Sequence, residues 1–247
     1  MIPKIIHYCW FGRGEMPKLA LKCIESWKKY LPDYKLKLWN EDSFDINSVP
    51  YVKEAYEARK FAFVTDYVRL YALLKEGGIY MDTDVEVLKS LDDLLTLPAF
   101  SGYESNQFDN FPTGLMASAK NGIWVKEQIA YYDNAHFLNA DGSYKMTTNT
   151  VTISNIMMTN DFELNGKYQV YKNDMHCFPS DYFCPLSSTR VLNITENTYC
   201  IHHFAGSWHT PTLKQKIKTI IFRNILGSVL SDKLIQIKRK VLRKIGS

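Results

Sequence analysis

The sequence predicts an α/β protein with a mostly parallel sheet flanked by helices and a basic helical extension at the C-terminal end. Three observations carry that expectation. Strand-length apolar runs alternate with longer runs of helical period from Lys4 to Tyr132. Gly77-Gly78 closes one such helix and opens a strand, Ile79-Tyr80-Met81, that stops at Asp82-Thr83-Asp84. Beyond residue 211 the composition turns strongly basic.

In order along the chain, Lys4 to Trp10 reads as an apolar strand and Pro17 to Tyr30 as a helix with proline in its first turn. Lys35 to Trp39 reads as a second strand, and Tyr51 to Glu76 as largely helical, in one or two pieces. Val85-Glu86-Val87, Ala99 to Tyr103 and Gly114 to Ser118 follow as strands, and Ile123 to Tyr132 as a helix. His202 and His203 lie on a late strand-like run. Ligands of such sheets gather beyond the carboxyl ends of the strands, where Trp10, Asp82 and Asp84 are all predicted to sit.

The chain has 247 residues and 46% hydrophobic content, enough for one domain with a sizeable core. Its net charge of +4 conceals a division. Residues 212–247 hold ten Lys or Arg against Asp232 alone, a net of +9, so the other 211 residues carry 20 bases and 25 acids, a net of −5. Within that tail Ile217, Ile220, Ile221, Ile225, Leu234, Ile237, Val241 and Ile245 recur at three- and four-residue spacing. The pattern reads as basic amphipathic helix, suited either to an anionic membrane surface or to packing on the domain. No nucleic-acid reading motif accompanies the charge, which argues against that partner. No segment has the roughly 18 apolar residues of a membrane span, and no signal-peptide pattern opens the chain, so a cytoplasmic protein is expected. Five cysteines without a Cys-x-x-Cys pair do not read as a zinc site; reduced core thiols are expected, with a Cys177–Cys184 bridge left open.

Alternate residues of an extended segment share a face, so Asp82 and Asp84 can approach one cation while Thr83 points away. Paired carboxylates favour Mg²⁺ or Mn²⁺, with substrate phosphates filling other positions. Upstream, Asp66 and Arg69 lie three apart on an otherwise apolar helix and share a face. They read either as an intrahelical ion pair or as a pair completed by a hydroxylated ligand, since burying such charges without further partners is costly.

Three segments together, Phe61 to Val87, the opening Ile2-Pro3-Lys4-Ile5-Ile6-His7-Tyr8-Cys9-Trp10-Phe11-Gly12 and the late Ile201-His202-His203-Phe204-Ala205-Gly206-Ser207-Trp208, resemble the DXD-containing glycosyltransferases of the family 32 type. That group acts on surface polysaccharides, includes yeast α-mannosyltransferases, and is distantly similar to the clostridial glucosylating toxins. The resemblance implies a GT-A fold over residues 1–211, a nucleotide-sugar donor with UDP-sugars favoured, a divalent metal, and transfer with retention to a glycan or lipid-linked glycan. It implies that Asp82 and Asp84 hold the metal, with a histidine as third ligand. His203 is preferred for its spacing to Gly206, and His202 is the alternative. Trp10 would wall the base pocket, Tyr80 would lie near the ribose, and Asp66 and Arg69 would hold sugar hydroxyls and diphosphate. Gly206, Ser207 and Trp208 would close over the diphosphate. Asn149, in Thr147-Thr148-Asn149-Thr150, is the choice for a residue beneath the anomeric carbon. Glu104, and less so Asp109, would bind hydroxyls. A metal-dependent hydrolase or nucleotidyltransferase would use the same acid pair but needs further carboxylates or histidines nearby, and a carbohydrate-binding scaffold would need no such pair.

Overall fold

The computed structural model describes residues 1–104, 110–187 and 190–206. A seven-stranded sheet runs in the order β2-β1-β3-β6-β5-β8-β7. Its strands are β1 (Ile5–Cys9), β2 (Lys35–Trp39), β3 (Gly78–Met81), β5 (Ala99–Gly102), β6 (Leu115–Ser118), β7 (Gln169–Tyr171) and β8 (Met175–Phe178). The pairs β1/β2, β1/β3 and β5/β8 are parallel, whereas β6 is antiparallel to both of its neighbours and β7 to β8. Five strands therefore point one way and two the other, the mostly parallel arrangement expected.

Both faces are covered. Residues alternate in and out of a strand, so β3 sends Tyr80 into one core and Ile79 and Met81 into the other. The first core is closed by α2 (Pro50–Glu57), α3 (Phe61–Glu76), α4 (Ile123–Ala130) and α5 (Asn149–Met158), through Val52, Val68, Leu73, Val125 and Ile153. The second is closed largely by α1 (Lys18–Tyr30), whose Ile24 and Trp27 pack on it, together with Phe183 of the short α6 (Ser180–Phe183).

Several boundaries differ from expectation for local reasons. Trp10 lies just past β1, and Pro17 is the N-cap of α1 rather than a residue of its first turn. The helical run splits in two because Arg59 adopts φ 56°, a left-handed conformation that ends α2. Helix α4 tightens into a 3-10 turn after Ala130. All five cysteines are buried and free, so Cys177 and Cys184 are not bridged. No helix among the described residues is long and apolar enough to cross a membrane.

Val85–Val87 forms a strand, β4, but outside the main sheet: it pairs antiparallel with β9 (Cys200–His202). Asp84 and Leu88, flanking β4, reach across to that partner, His203 N donating to Asp84 O and Leu88 N to Tyr199 O. The opposite edge of β4 is satisfied by α1, where Trp27 Nε1 donates to Val85 O at 2.7 Å and Val87 N to Ser26 Oγ at 2.9 Å. This ladder sets Val85 opposite His202, and so brings a residue from near position 200 to the acids that end β3.

Candidate functional site

The site begins where the backbone stops being sheet. Gly77 and Gly78, at φ 69° and 112°, turn α3 into β3; a Cβ on Gly78 would lie 2.6 Å from Ile5 O, so only glycine passes so close to β1. After four strand residues, Asp82 N donates to Gly114 O and Val85 N to Asp82 O, a turn that sets the two acids beyond the strand end.

Asp82 is held from below. Tyr80 Oη donates to Asp82 Oδ1 at 2.8 Å and Arg69 Nη2 lies 3.2 Å from the same oxygen. The guanidinium also lies 4.6 Å from the centre of the Tyr80 ring and 3.5 Å from Asp66 Oδ1. Asp66 Oδ2 in turn accepts Asn149 N, the first amide of α5, at 3.2 Å. A buried chain of charge thus runs from the start of α5 through α3 to the acid pair, and ladder and helix spacing together explain why a lone base can sit in so apolar a helix. Burial raises the Asp66 carboxyl to about 7, against the opposing pull of Arg69.

Asp84 is held from the other side. Its Oδ2 accepts Ala205 N at 2.7 Å and its Oδ1 lies 3.5 Å from His202 Nε2. Burial opposes ionisation of both groups, yet their mutual attraction wins: Asp84 stays below the usual carboxylate range and His202 well above the usual imidazole range. On its far side His202 Nδ1 faces Thr113 Oγ1 at 3.4 Å and Glu104 Oε1 at 3.9 Å, and its ring packs on Phe204 at 4.3 Å. Burial raises the Glu104 carboxyl, with His202 pulling the other way.

Asp82, Asp84 and His202 each offer one ligand atom within 4.8 Å of the others. Two carboxylate oxygens and an imidazole suit Mn²⁺ or Mg²⁺. The space between them is kept by a missing side chain, since a Cβ on Gly114 would lie 2.8 Å from Asp82 Oδ2 and 3.2 Å from His202 Nε2. The residues present therefore fit a divalent cation.

The structure corrects the preferred histidine. His203 points away: its Nε2 meets Glu86 Oε2 at 2.8 Å, and Glu86 also pairs with Lys22. Neighbouring residues of β9 face opposite sides, and the register with β4 gives the inward side to His202. Tyr80 is 1% exposed and its hydroxyl donates to Asp82, so it supports the acid. Asp66 and Arg69 are brought to the site, but with side chains only 8% exposed. Asn149 is buried beside them, and its Nδ2 has no hydrogen-bond partner among the described residues. Glu104 stands behind His202.

Trp10 leaves β1 at the same end as the acids leave β3, because His7 pairs with Tyr80 in parallel register. Its Nε1 donates to Gly14 O at 2.6 Å, and the loop between them is pinned by Gly12 N donating to Glu41 Oε1. Gly206 follows Ala205 at φ 58°, with no neighbour within 4 Å of a Cβ there among the described residues. Ser207, Trp208, Asp109 and the basic tail lie outside the described residues. Thr113 and Gly114 escaped the sequence reading, since a Thr-Gly about thirty residues beyond the acid pair carries only the signal of a strand start.

Residues 17–100 match the glycosyltransferase sugar-binding region containing the DXD motif. Over 238 residues, 91% of this chain and 89% of the relative, it is 29% identical to an uncharacterized glycosyltransferase of Acanthamoeba polyphaga mimivirus. It is 36% identical over 103 residues to inositol phosphoceramide mannosyltransferase 3 of Schizosaccharomyces pombe, covering 40% of this chain but only 29% of that one. The chain thus spans most of the viral relative and under a third of the yeast one. Among solved structures, a glycosyltransferase involved in the glycosylation of the major capsid of PBCV-1 superimposes with TM-score 0.51 at 12% identity, over 89% of this chain and all of that one. The fold is the α/β arrangement of GT-A type, and the match over residues 17–100 together with the viral relative supports a DXD-containing glycosyltransferase.

Proposed function

We propose that this DXD glycosyltransferase moves a hexose from a nucleotide-sugar, a UDP-sugar by preference, to a glycan or lipid-linked glycan in surface polysaccharide synthesis, with retention of configuration. One observation carries the reading: Asp82 and Asp84 at a strand end are joined by His202, from a distant part of the chain, within the reach of one cation. Bound there, Mn²⁺ or Mg²⁺ would act as a Lewis acid and stabilise the diphosphate leaving group.

The protein's own groups then have separable tasks. Arg69 and Tyr80 hold Asp82 to one orientation, and Ala205 N holds Asp84, so the ligand set is rigid before substrate arrives. Asp66 and Arg69 accept and donate to sugar hydroxyls through the small part of each that remains accessible. Asn149 Nδ2, buried beside Asp66 and without a hydrogen-bond partner among the described residues, would donate to the sugar beneath the anomeric carbon. Trp10 would wall the base end, and Gly206 stands where the resemblance puts the segment that closes over the diphosphate. Retention needs no enzymic nucleophile if the acceptor attacks from the face the leaving group vacates. The yeast relative, an inositol phosphoceramide mannosyltransferase, supports mannose among the hexoses to be tried and a lipid-linked acceptor among the acceptors. The basic tail supports peripheral contact with the inner face of the cell membrane, where such an acceptor resides.

The test is a donor panel. UDP- and GDP-hexoses are incubated with the protein and Mn²⁺, and nucleotide release is measured with and without glycan acceptors. Release stimulated by an acceptor, and lost with EDTA, is expected. Release that no acceptor alters indicates a hydrolase, and no release or binding from any donor overturns the reading.

A further inference from the structure

Resting on the cation reading above, we propose that Thr113 and Gly114, just ahead of β6, are positioning residues that build the far wall of the metal site. Gly114 holds open the space the cation takes, and Thr113 orients His202.

The case for Gly114 is one of elimination. Its φ lies outside the left-handed region, so the backbone does not require glycine. What forbids a side chain is the site itself: the three atoms nearest a Cβ at this position are Asp82 Oδ2 at 2.8 Å and His202 Cε1 and Nε2 at 3.2 Å. Two of these three atoms, Asp82 Oδ2 and His202 Nε2, are of the kind that would ligate. A methyl group there would occupy the hollow between the acid and the imidazole. Both neighbours are side chains rather than backbone, so the fold can accept alanine only by shifting Asp82 or His202 from the places their partners hold them in, and the ligand set cannot then stay closed. Gly114 also fixes Asp82 through its carbonyl, which accepts Asp82 N at 2.8 Å.

Thr113 acts on the other ring nitrogen. It is 1% exposed, its amide is anchored to Gly102 O, and its hydroxyl faces His202 Nδ1 at 3.4 Å. An imidazole that ligates through Nε2 must carry its proton on Nδ1, and the Thr113 hydroxyl is placed to accept from it, which favours that form and the ring plane it needs. Glu104, 3.9 Å from the same nitrogen, strengthens the preference.

The experiment titrates MnCl₂ into the full-length protein and follows free Mn²⁺ by electron paramagnetic resonance, with melting temperature read in EDTA. Gly114→Ala is expected to weaken Mn²⁺ binding by at least about tenfold, with the EDTA melting temperature unchanged. Thr113→Val is expected to weaken it about tenfold, and Thr113→Ser, which keeps the hydroxyl, to restore it. If Gly114→Ala does not fold, the valine and serine pair decides. Folded Gly114→Ala or Thr113→Val that binds Mn²⁺ as the parent does overturns the inference, as does a serine variant as weak as valine. A parent protein that binds no Mn²⁺ overturns the cation reading itself.

Discussion

At the scale of single residues, the site is a set of carboxylates whose neighbours decide what each can do. Asp84 is kept ionised by His202 and by Ala205 N, and its Oδ1 belongs to the proposed cation set. Asp84→Asn keeps the volume and removes the charge, so turnover should fall by about 10³-fold or more while the melting temperature measured without metal moves little. Retained activity would contradict the ligand role. Asp66 behaves in the opposite sense. Burial, aided by the Asp82 charge and opposed by Arg69 and the Asn149 amide, lifts it to about 7, from roughly 3.9 in an unfolded chain. The folded state therefore binds the proton more tightly, and stability contributed by this group is full below about pH 4 and is lost as pH rises toward 7. At about 1.4 kcal/mol per unit the loss is of order 4 kcal/mol. Asp66→Asn should lack that slope, so urea unfolding at pH 5 and pH 8 should show the variant gaining on the parent at the higher pH. Parallel curves would count against the buried-acid account. The Asp66/Arg69 pair was legible because helix spacing places both on one face, and the acid pair because it follows a strand end, although a turn rather than an extended segment brings the two acids together. The choice between His202 and His203 was not, because it depends on a strand register set by a partner more than a hundred residues away.

At the scale of elements, the strand-helix alternation through α4 was readable from apolar period, whereas the point at which the helical run divides in two is set by backbone geometry at Arg59. The β4/β9 ladder was unreadable for another reason. Val85-Glu86-Val87 and the run at His202 both read as strands, but three residues carry too little pattern to name a partner, and β4 forms because both of its edges find one, β9 on one side and Trp27 and Ser26 on the other. Helix α1 consequently does more than cover the sheet, since its indole fixes the strand that begins next to Asp84. Trp27→Phe preserves most of the packing but leaves the buried Val85 carbonyl without that donor. A loss of about 1–3 kcal/mol in denaturant-measured stability is expected. If the variant is as stable as the parent, water or a shifted strand satisfies the carbonyl and α1 is only a cover.

At the scale of the whole molecule, charge is divided between a domain of net −5 and a segment, 212–247, of net +9. A mildly acidic body would be repelled by an anionic bilayer, so any attraction has to come from the tail. Its Lys and Arg residues are each worth about 1 kcal/mol close to such a surface, within a Debye length of about 8 Å at physiological salt. Apolar residues at three- and four-residue spacing would add burial to attraction. The alternative use of that stripe, packing on the domain, predicts a different outcome. Removing residues 212–247 should then lower the melting temperature and disturb activity on every acceptor. If the tail serves the membrane, the deletion should abolish sedimentation with vesicles containing phosphatidylglycerol and leave turnover on a soluble acceptor within about twofold. High salt should release the parent protein from the same vesicles, because the interaction is largely screened at 1 M, where the Debye length is about 3 Å. Unchanged vesicle binding after the deletion would remove the tail from the account and shift the search for the acceptor's location to the domain surface.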